Sequence, residues 1–349
     1  MATGADPRFE WRGFMLDVAR HFLPVETVLA VIDELAPLGI DRLHLHLTDD
    51  QGWRIEIASR PELTRIGAAT QVGGGPVPPP GHYTRDDYRR IVDRAAERGI
   101  VVVPEIDLPG HVNAALLAYP ELAPRGVVYA ETRPAALAPH PYQGIEVGFS
   151  TLDAQTEATW AFIEDVIGEV AAMTPGPWLH LGGDESLSTT REDYEALVRG
   201  AAQAVVAAGK TPIGWHEIGR VADLPEATIL QYWGFLEPEE DHGEILRSWV
   251  ARGGRVILSP ADVAYLDMKP HADHPLGLVW AKGPTSLEAA GGWDPADLVA
   301  RIPGMTEAHV LGVEAAMFSE TVATLDDVRA LMHPRLGALA RIMREPRHG

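Results

Sequence analysis

A chain of 349 residues, 46% of them hydrophobic, can bury a large core without disulfides or metal. Its 29 basic and 50 acidic residues leave a formal charge of −21, which repels phosphate backbones and anionic lipid and so disfavours nucleic-acid and membrane-surface partners. The absence of cysteine excludes disulfides, thiolate chemistry and cysteine-held zinc.

The first ten residues, MATGADPRFE, carry neither the basic nor the apolar region of a signal peptide, and no apolar run reaches membrane-spanning length. The expectation is a cytoplasmic protein, or a trimmed piece of a secreted one.

Short apolar runs then alternate with amphipathic segments. Residues 14–18 predict a strand. Residues 25–38 predict a helix with Pro24 at its mouth and Gly39 beyond its end. A strand follows at 42–47. The next helix, 86–98, begins after Thr84, a good N-cap, and stops at Gly99. A strand at 100–106 and a long loop lead to a helix at 156–172. Then come a strand at 178–181, a helix at 194–208 and strands at 212–215, 229–232, 255–258 and 310–315. Helices are expected at 244–251 and 326–332, with 339–343 extending the last one.

Eight strands separated mostly by helices predict an α/β fold, a (β/α)8 TIM barrel forming a single catalytic domain over residues 1–349. The glycine- and proline-rich stretch at 73–81 falls between a strand and a helix, so it reads as a long βα loop rather than a linker.

Side-chain parity sharpens the picture. Leu43, Leu45 and Leu47 share one face of their strand and should meet the helices, which turns His44 and His46 into the barrel. The same parity puts Asp17, Glu105, Asp107, His180, Glu314, Phe318 and Glu320 inside. Barrel lumens are usually filled by branched apolar residues, so this many ionisable groups point to a site at the C-terminal mouth.

The strongest local motif is HLGGDES, His180–Ser186. Gly182 and Gly183 break the pleat and let the following backbone approach a ligand. Asp184 and Glu185 then stand side by side, and two such carboxylates cannot both ionise freely, so one pKa should rise. Other strand ends converge on the same mouth. They bring Arg20, Asp49, His111, Trp215, Trp233, Tyr265, Asp267, Trp280, Phe318 and Glu320. Aromatic faces stack on pyranose C–H faces while Asp, Glu and Arg hold hydroxyls, which together describe a sugar pocket.

The segments GFMLDVARHF, HLHLTDDQGWR, VVPEIDLPGH, LHLGGDES, QYWG, YLDMK and GVEAAMFSE stand in the order and spacing of glycoside hydrolase family 20. From residue 12 to residue 335 the chain resembles that family, in particular its bacterial exo-β-N-acetylhexosaminidases. The resemblance implies substrate-assisted retaining hydrolysis of terminal N-acetylhexosamine, with no metal or cofactor. Glu185 matches the general acid and base, Asp184 the residue that orients the acetamido N–H, and Tyr265 the donor to the acetamido carbonyl. Trp215, Trp233 and Trp280 match the walls around the acetamide and ring. Arg20 resembles the clamp on the C3 and C4 hydroxyls, and Asp267 and Glu320 the partners of the C4 and C6 hydroxyls. Asp49 and His111 match a relay that tunes Glu185.

Two departures accompany the resemblance. Phe318 stands where such enzymes usually place a tryptophan at the pocket floor. The chain also starts almost at its first strand, so the α/β domain that often precedes the barrel is expected to be absent.

Two rival readings remain. His44 and His46, with Asp49, His111, His180 and Asp184, could ligate a divalent metal as in barrel metallohydrolases. A non-catalytic carbohydrate-binding barrel is the other.

Overall fold

A computed structural model describes residues 7–74, 79–124 and 139–345. Eight strands close into one barrel: β1 (Trp11–Asp17), β2 (Arg42–His46), β3 (Val101–Glu105), β4 (Trp178–His180), β5 (Thr211–Trp215), β6 (Ile229–Tyr232), β7 (Arg255–Leu258) and β8 (Val310–Met317). Each strand pairs in parallel with its sequence neighbours, and β1 pairs with β8 to close the ring. Closure leaves no edge strand exposed.

The crossovers are mainly helical: α1 (Val25–Leu35), α2 (Arg85–Glu97), α3 (Glu157–Met173), α4 (Arg191–Ala207), α5 (Glu240–Ala251) and α6 (Pro295–Arg301). The chain then runs through α7 (Leu325–Met332) and α8 (Arg335–Arg344). Between β5 and β6 the link is only a five-residue 3-10 helix, His216–Arg220.

Side-chain caps set several helix starts. Thr84 and Asp87 form a capping box on α2, as do Thr324 and Asp327 on α7. Thr190 caps α4, so that helix begins three residues before the expected 194. The segment 339–343 belongs to a separate helix, α8, rather than extending α7. Helix α6, which the apolar pattern did not reveal, starts with the Asp294 carboxylate accepting the Ala296 N–H and with Pro295 in the first position. The expected loop at 73–81 lies partly outside the described residues.

The core divides as parity requires. Leu43, Leu45 and Leu47 belong to the outer core, together with Val28, Val31 and Ile32 of α1 and Tyr88 and Ile91 of α2. Inside, the lumen is layered. Its lowest layer is an apolar plug of Trp11, Val103, Ile213, Ile229, Ile257 and Leu311. Above it lie His44, Glu105, His180, Gln231 and Glu314, all at most 1% exposed. Only the bottom layer follows the usual branched-residue filling. The middle layer is polar, and toward the mouth it meets a second apolar cluster around Met15, Trp215, Tyr265 and Ala316.

Backbone hydrogen bonds join Arg8 to Arg344 and Phe9 to Met343, below the start of β1. No helix among the described residues is long and apolar enough to cross a membrane.

Candidate active site

The polar layers form one connected chain. Glu314 accepts from Trp11 Nε1 at 2.9 Å and pairs with His44 Nδ1 at 2.8 Å. The other nitrogen of His44 lies 2.9 Å from Glu105 Oε2, which also takes His46 Nδ1 at 2.6 Å. Glu105 Oε1 meets Trp215 Nε1 and His180 Nδ1, both at 3.0 Å. His46 Nε2 then reaches Asp49 Oδ2 at 2.8 Å, on the hairpin that follows β2.

Charge alternates along this chain. Burial opposes ionisation of Glu105, but His46, His180 and His44 hold its carboxyl well below the usual range. Burial likewise opposes the His44 cation, yet Glu105 and Glu314 raise its pKa to about 9. His180 goes the other way: burial and the neighbouring His44 lower it. Every buried charge thus has a partner, which a low-dielectric lumen demands.

Arg20 and Asp49 form the next knot. Asp17 ends β1, and its Oδ1 accepts the backbone N–H groups of Ala19 and Arg20, which fixes the turn that presents the guanidinium. Arg20 Nη2 pairs with Asp49 Oδ2 at 2.8 Å, and its guanidinium lies 5.0 Å above the Phe318 ring. Asp49 Oδ1 faces His111 Nδ1 at 3.2 Å. The far nitrogen of His111 points at both carboxyls of interest, 3.7 Å from Asp184 Oδ2 and 3.8 Å from Glu185 Oε2. Burial works against the His111 cation, but Asp49, Asp107 and Asp184 outweigh it and raise its pKa well above the ordinary imidazole value.

The glycine pair after β4 is needed for the turn itself. Gly182 and Gly183 have φ of 68° and 98°, and a Cβ on Gly182 would lie 1.7 Å from Asp107 Oδ1. The space that the missing side chains leave is therefore taken by Asp107 and, beside Gly183, by Ile218. Glu185 follows at φ 42° and His111 stands at φ 54°, both in the left-handed region that residues with a Cβ rarely enter. The expected rise of one carboxyl pKa falls on Glu185. Burial pushes it up and Asp184 adds to the rise, while His111 and Arg20 oppose it.

These groups border a cavity of about 400 Å³. Of the residues expected at the site, Arg20, Asp184, Glu185, Trp233, Tyr265, Trp280, Phe318 and Glu320 line it. Trp280 stands edge-on to both Tyr265 (5.6 Å) and Trp233 (6.0 Å) and is 46% exposed at the rim. Burial, then Asp267, raises the Tyr265 phenol well above its ordinary pKa, so it stays a hydroxyl donor.

Four expected residues lie behind the wall. Trp215 is 1% exposed, one layer below Phe318, with ring centres 6.4 Å apart. Asp267 is 2% exposed; its Oδ1 accepts the Phe318 N–H at 3.3 Å, and burial with Glu320 nearby raises its pKa well above the carboxylate range. Asp49 and His111 form the buried relay already described.

The same groups bear on metal binding. His44–Glu105–His180, His46–Glu105–Asp107, Asp49–Asp107–His111 and His111–Asp184–Glu185 each offer three ligand atoms within 4.8 Å of one another. Most of the donor atoms in the first three are already taken up by hydrogen bonds or ion pairs within the lumen.

A sequence profile for glycosyl hydrolase family 20, catalytic domain, matches residues 9–346. The chain belongs to glycosyl hydrolase family 20. It is 46% identical over 336 residues to a β-N-acetylhexosaminidase from Cellulomonas fimi, an alignment that covers 96% of this chain and 63% of that protein. Among solved structures it superposes on the family 20 β-N-acetylhexosaminidase of Streptomyces coelicolor A3(2) with a TM-score of 0.89 at 43% identity, covering 97% of this chain and 65% of the other. The Streptomyces plicatus N-acetyl-β-hexosaminidase in complex with Thio-NAglucal gives 0.88 at 43% identity, with coverage of 97% and 64%. The chain therefore spans somewhat under two thirds of the length of these relatives.

The family 20 site also contains residues that the sequence pattern did not single out. Ile145, Val147, Phe235, Glu239, His242 and Leu278 also line the cavity. His242 lies in the first turn of α5, just after Glu239 at its N-cap, and the others come from loops with no periodic signature, where only tertiary placement assigns a role. Glu217 is a further case. It lies on the short 3-10 helix, two residues past Trp215, and a carboxylate just beyond a strand end was the one signal available for it.

Proposed function

We propose that this chain is a retaining exo-β-N-acetylhexosaminidase that removes terminal GlcNAc or GalNAc from oligosaccharides by substrate-assisted catalysis. The observation that carries the reading is the placement of Glu185, a carboxyl with a raised pKa, beside Asp184 in a cavity of about 400 Å³. Such a volume suits one N-acetylhexosamine ring with its acetamido arm.

In this mechanism the substrate's acetamido oxygen attacks C1, the bond to the leaving oxygen breaks, and Glu185 supplies the proton to that oxygen. Asp184 orients the acetamido N–H and stabilises the positive charge that develops on the oxazolinium ring. Tyr265 donates to the acetamido oxygen. Trp233 and Trp280 pack around the acetamide and ring, and Trp215 backs them from below. Arg20 and Glu320 reach the sugar hydroxyls at the closed end, while buried Asp267 acts through Phe318. In the second half, Glu185 takes a proton from water and the water oxygen adds to C1 as the C1–O bond of the oxazolinium ring breaks, which restores the acetamido group and leaves the product in the β configuration. The positive His111 beside Glu185 favours its carboxylate, so the Asp49–His111 pair readies Glu185 to return to the base form.

The decisive experiment follows the anomer formed at early times by NMR and measures inhibition by a thiazoline that copies the bicyclic intermediate. A β product and thiazoline binding far tighter than that of N-acetylglucosamine are expected. An α product, or a sugar trapped covalently on an Asp or Glu, overturns the mechanism.

A further inference from the structure

Glu217 has no part in the chemistry above, yet its geometry is specific. Its two carboxyl oxygens lie 3.0 and 3.1 Å from the indole nitrogen of Trp233 and share that N–H. An indole has one N–H donor, so this is the only N–H hydrogen bond its ring can make. Trp233 lines the cavity, whereas Glu217 stands behind it on the 3-10 helix between β5 and β6. The bond therefore ties the mouth of β5 to the mouth of β6. Its aromatic neighbours Trp280, His216 and His242 make edge or tilted contacts with centres 5.6–6.0 Å away, and the ring also packs against the apolar cluster that contains Ala261 and Tyr265. Apolar packing is not directional, so the N–H bond is the contact that specifies the orientation of the indole.

We propose that Glu217 is a positioning residue for the hexosaminidase reaction: by holding the Trp233 indole, it fixes the wall against which the substrate's 2-acetamido group packs. The proposal rests on the functional reading above and extends it to a residue outside the pocket lining.

The surroundings say in which form Glu217 acts. Asp184 and Glu185 face it from the loop after β4, Tyr194 from α4, and Tyr265 from the segment between β7 and β8. His216 Nδ1 is 3.4 Å away, while Arg220 on the same short helix turns toward Asp241. Burial, reinforced by Asp184, pushes the Glu217 pKa up to about 8. At neutral pH it is then largely an uncharged acceptor, which puts no third negative charge beside Asp184 and Glu185. A glutamine amide has the same shape and the same carbonyl acceptor.

The test compares E217Q, E217A, W233F and the double variants on an aryl N-acetylglucosaminide, with melting curves for each. In E217A, KM should rise about five- to tenfold, the worth of one net hydrogen bond, and N-acetylglucosamine should bind correspondingly more weakly. E217Q should stay within about twofold of the wild type in KM, because its carbonyl still accepts the N–H. Adding E217A to W233F should cost no more than about twofold, since the donor is already gone. A merely structural role lowers the amount of active enzyme and leaves KM unmoved. The proposal is overturned if E217A keeps the wild-type KM, if E217Q is as impaired as E217A, or if the E217A effect persists in W233F. Should E217A melt early, E217Q in the two Trp233 backgrounds carries the test: a KM change beyond about twofold in either background refutes the role. Wild-type turnover of the same substrate tests the functional reading separately.

Discussion

Replacing Asp49 by asparagine removes one charge and almost no volume from the junction where Arg20, His46 and His111 meet. Asp49 is 1% exposed and meets three cationic groups, Arg20 and His46 at 2.8 Å each and His111 at 3.2 Å. Removing one partner of a buried ion pair typically costs about 3–5 kcal/mol. The low end applies here, because Arg20 keeps Asp17 at 3.6 Å and the field of Glu320. An unfolding entropy of about 2.1 cal/mol/K per residue gives about 0.7 kcal/mol per kelvin for 349 residues, so a loss of about 3 kcal/mol should lower Tm by about 4 °C.

The sign of the pH dependence follows from Asp49 itself. Burial opposes its charge, yet Arg20 and His111 hold its carboxyl far below the ordinary carboxylate range. A depressed folded-state pKa gives stability that is full above the unfolded value, about 4, and is lost as the pH falls below it. Urea unfolding between pH 4 and pH 3, where histidines are protonated in both states, should therefore show the gap between wild type and Asp49→Asn narrowing by about 1 kcal/mol. A Tm within about 1 °C of wild type at pH 7, or a gap that stays constant between those two acidic pH values, would falsify this account of the lumen.

Three further substitutions probe other parts. Glu185→Gln should abolish turnover of basic leaving groups while partly sparing activated aryl substrates, because acid assistance is worth about 10²–10⁴-fold only where the leaving oxygen needs a proton; equal losses on both classes in steady-state kinetics count against Glu185 as the acid. Phe318→Trp should keep activity and tighten N-acetylglucosamine a few-fold. The Phe318 ring is flanked below and beside by Trp215, Tyr265, His46 and Arg20, so the larger indole has to extend toward the sugar, and weaker product binding by titration refutes this. Arg335→Met should lower stability by at least about 4 kcal/mol, since it strips donors from buried carbonyls. Arg335 is 1% exposed and donates to the carbonyls of Leu266, Met268, Thr285 and Leu331, so a melting shift under about 2 °C contradicts that role.

The barrel was readable because its signals are local and periodic. Alternation in Leu43–Leu47 fixes which face meets the helices, and the same parity turned inward the acids and histidines found in the lumen. Thr84 and the glycines at 39 and 99 marked the limits of the first two helices, whereas the Thr190 cap on α4 was passed over. Two kinds of feature stayed hidden. Short links such as His216–Arg220 have no period, and α6 is a seven-residue helix whose start rests on Asp294 and Pro295 rather than on an apolar stripe. At the site, Asp184 and Glu185 announce themselves as adjacent carboxylates. Glu217 and His242 do not, because what sets them apart is the distance to Trp233, and that depends on how neighbouring strand ends are splayed. Depth was also illegible: Trp215 and Trp233 look alike in sequence, yet one is a buried support and the other a wall.

The stitch between residues 8–9 and residues 343–344 has a topological consequence. It brings the two ends of the described fold together on the rim beneath β1, while the cavity opens at the opposite rim. A short linker between the ends could turn the chain into a circle, and the circle could be reopened at an exposed bottom loop without cutting any strand. Both limits of the described fold therefore lie on the side away from the cavity. A barrel circularised through that base would keep its mouth unobstructed.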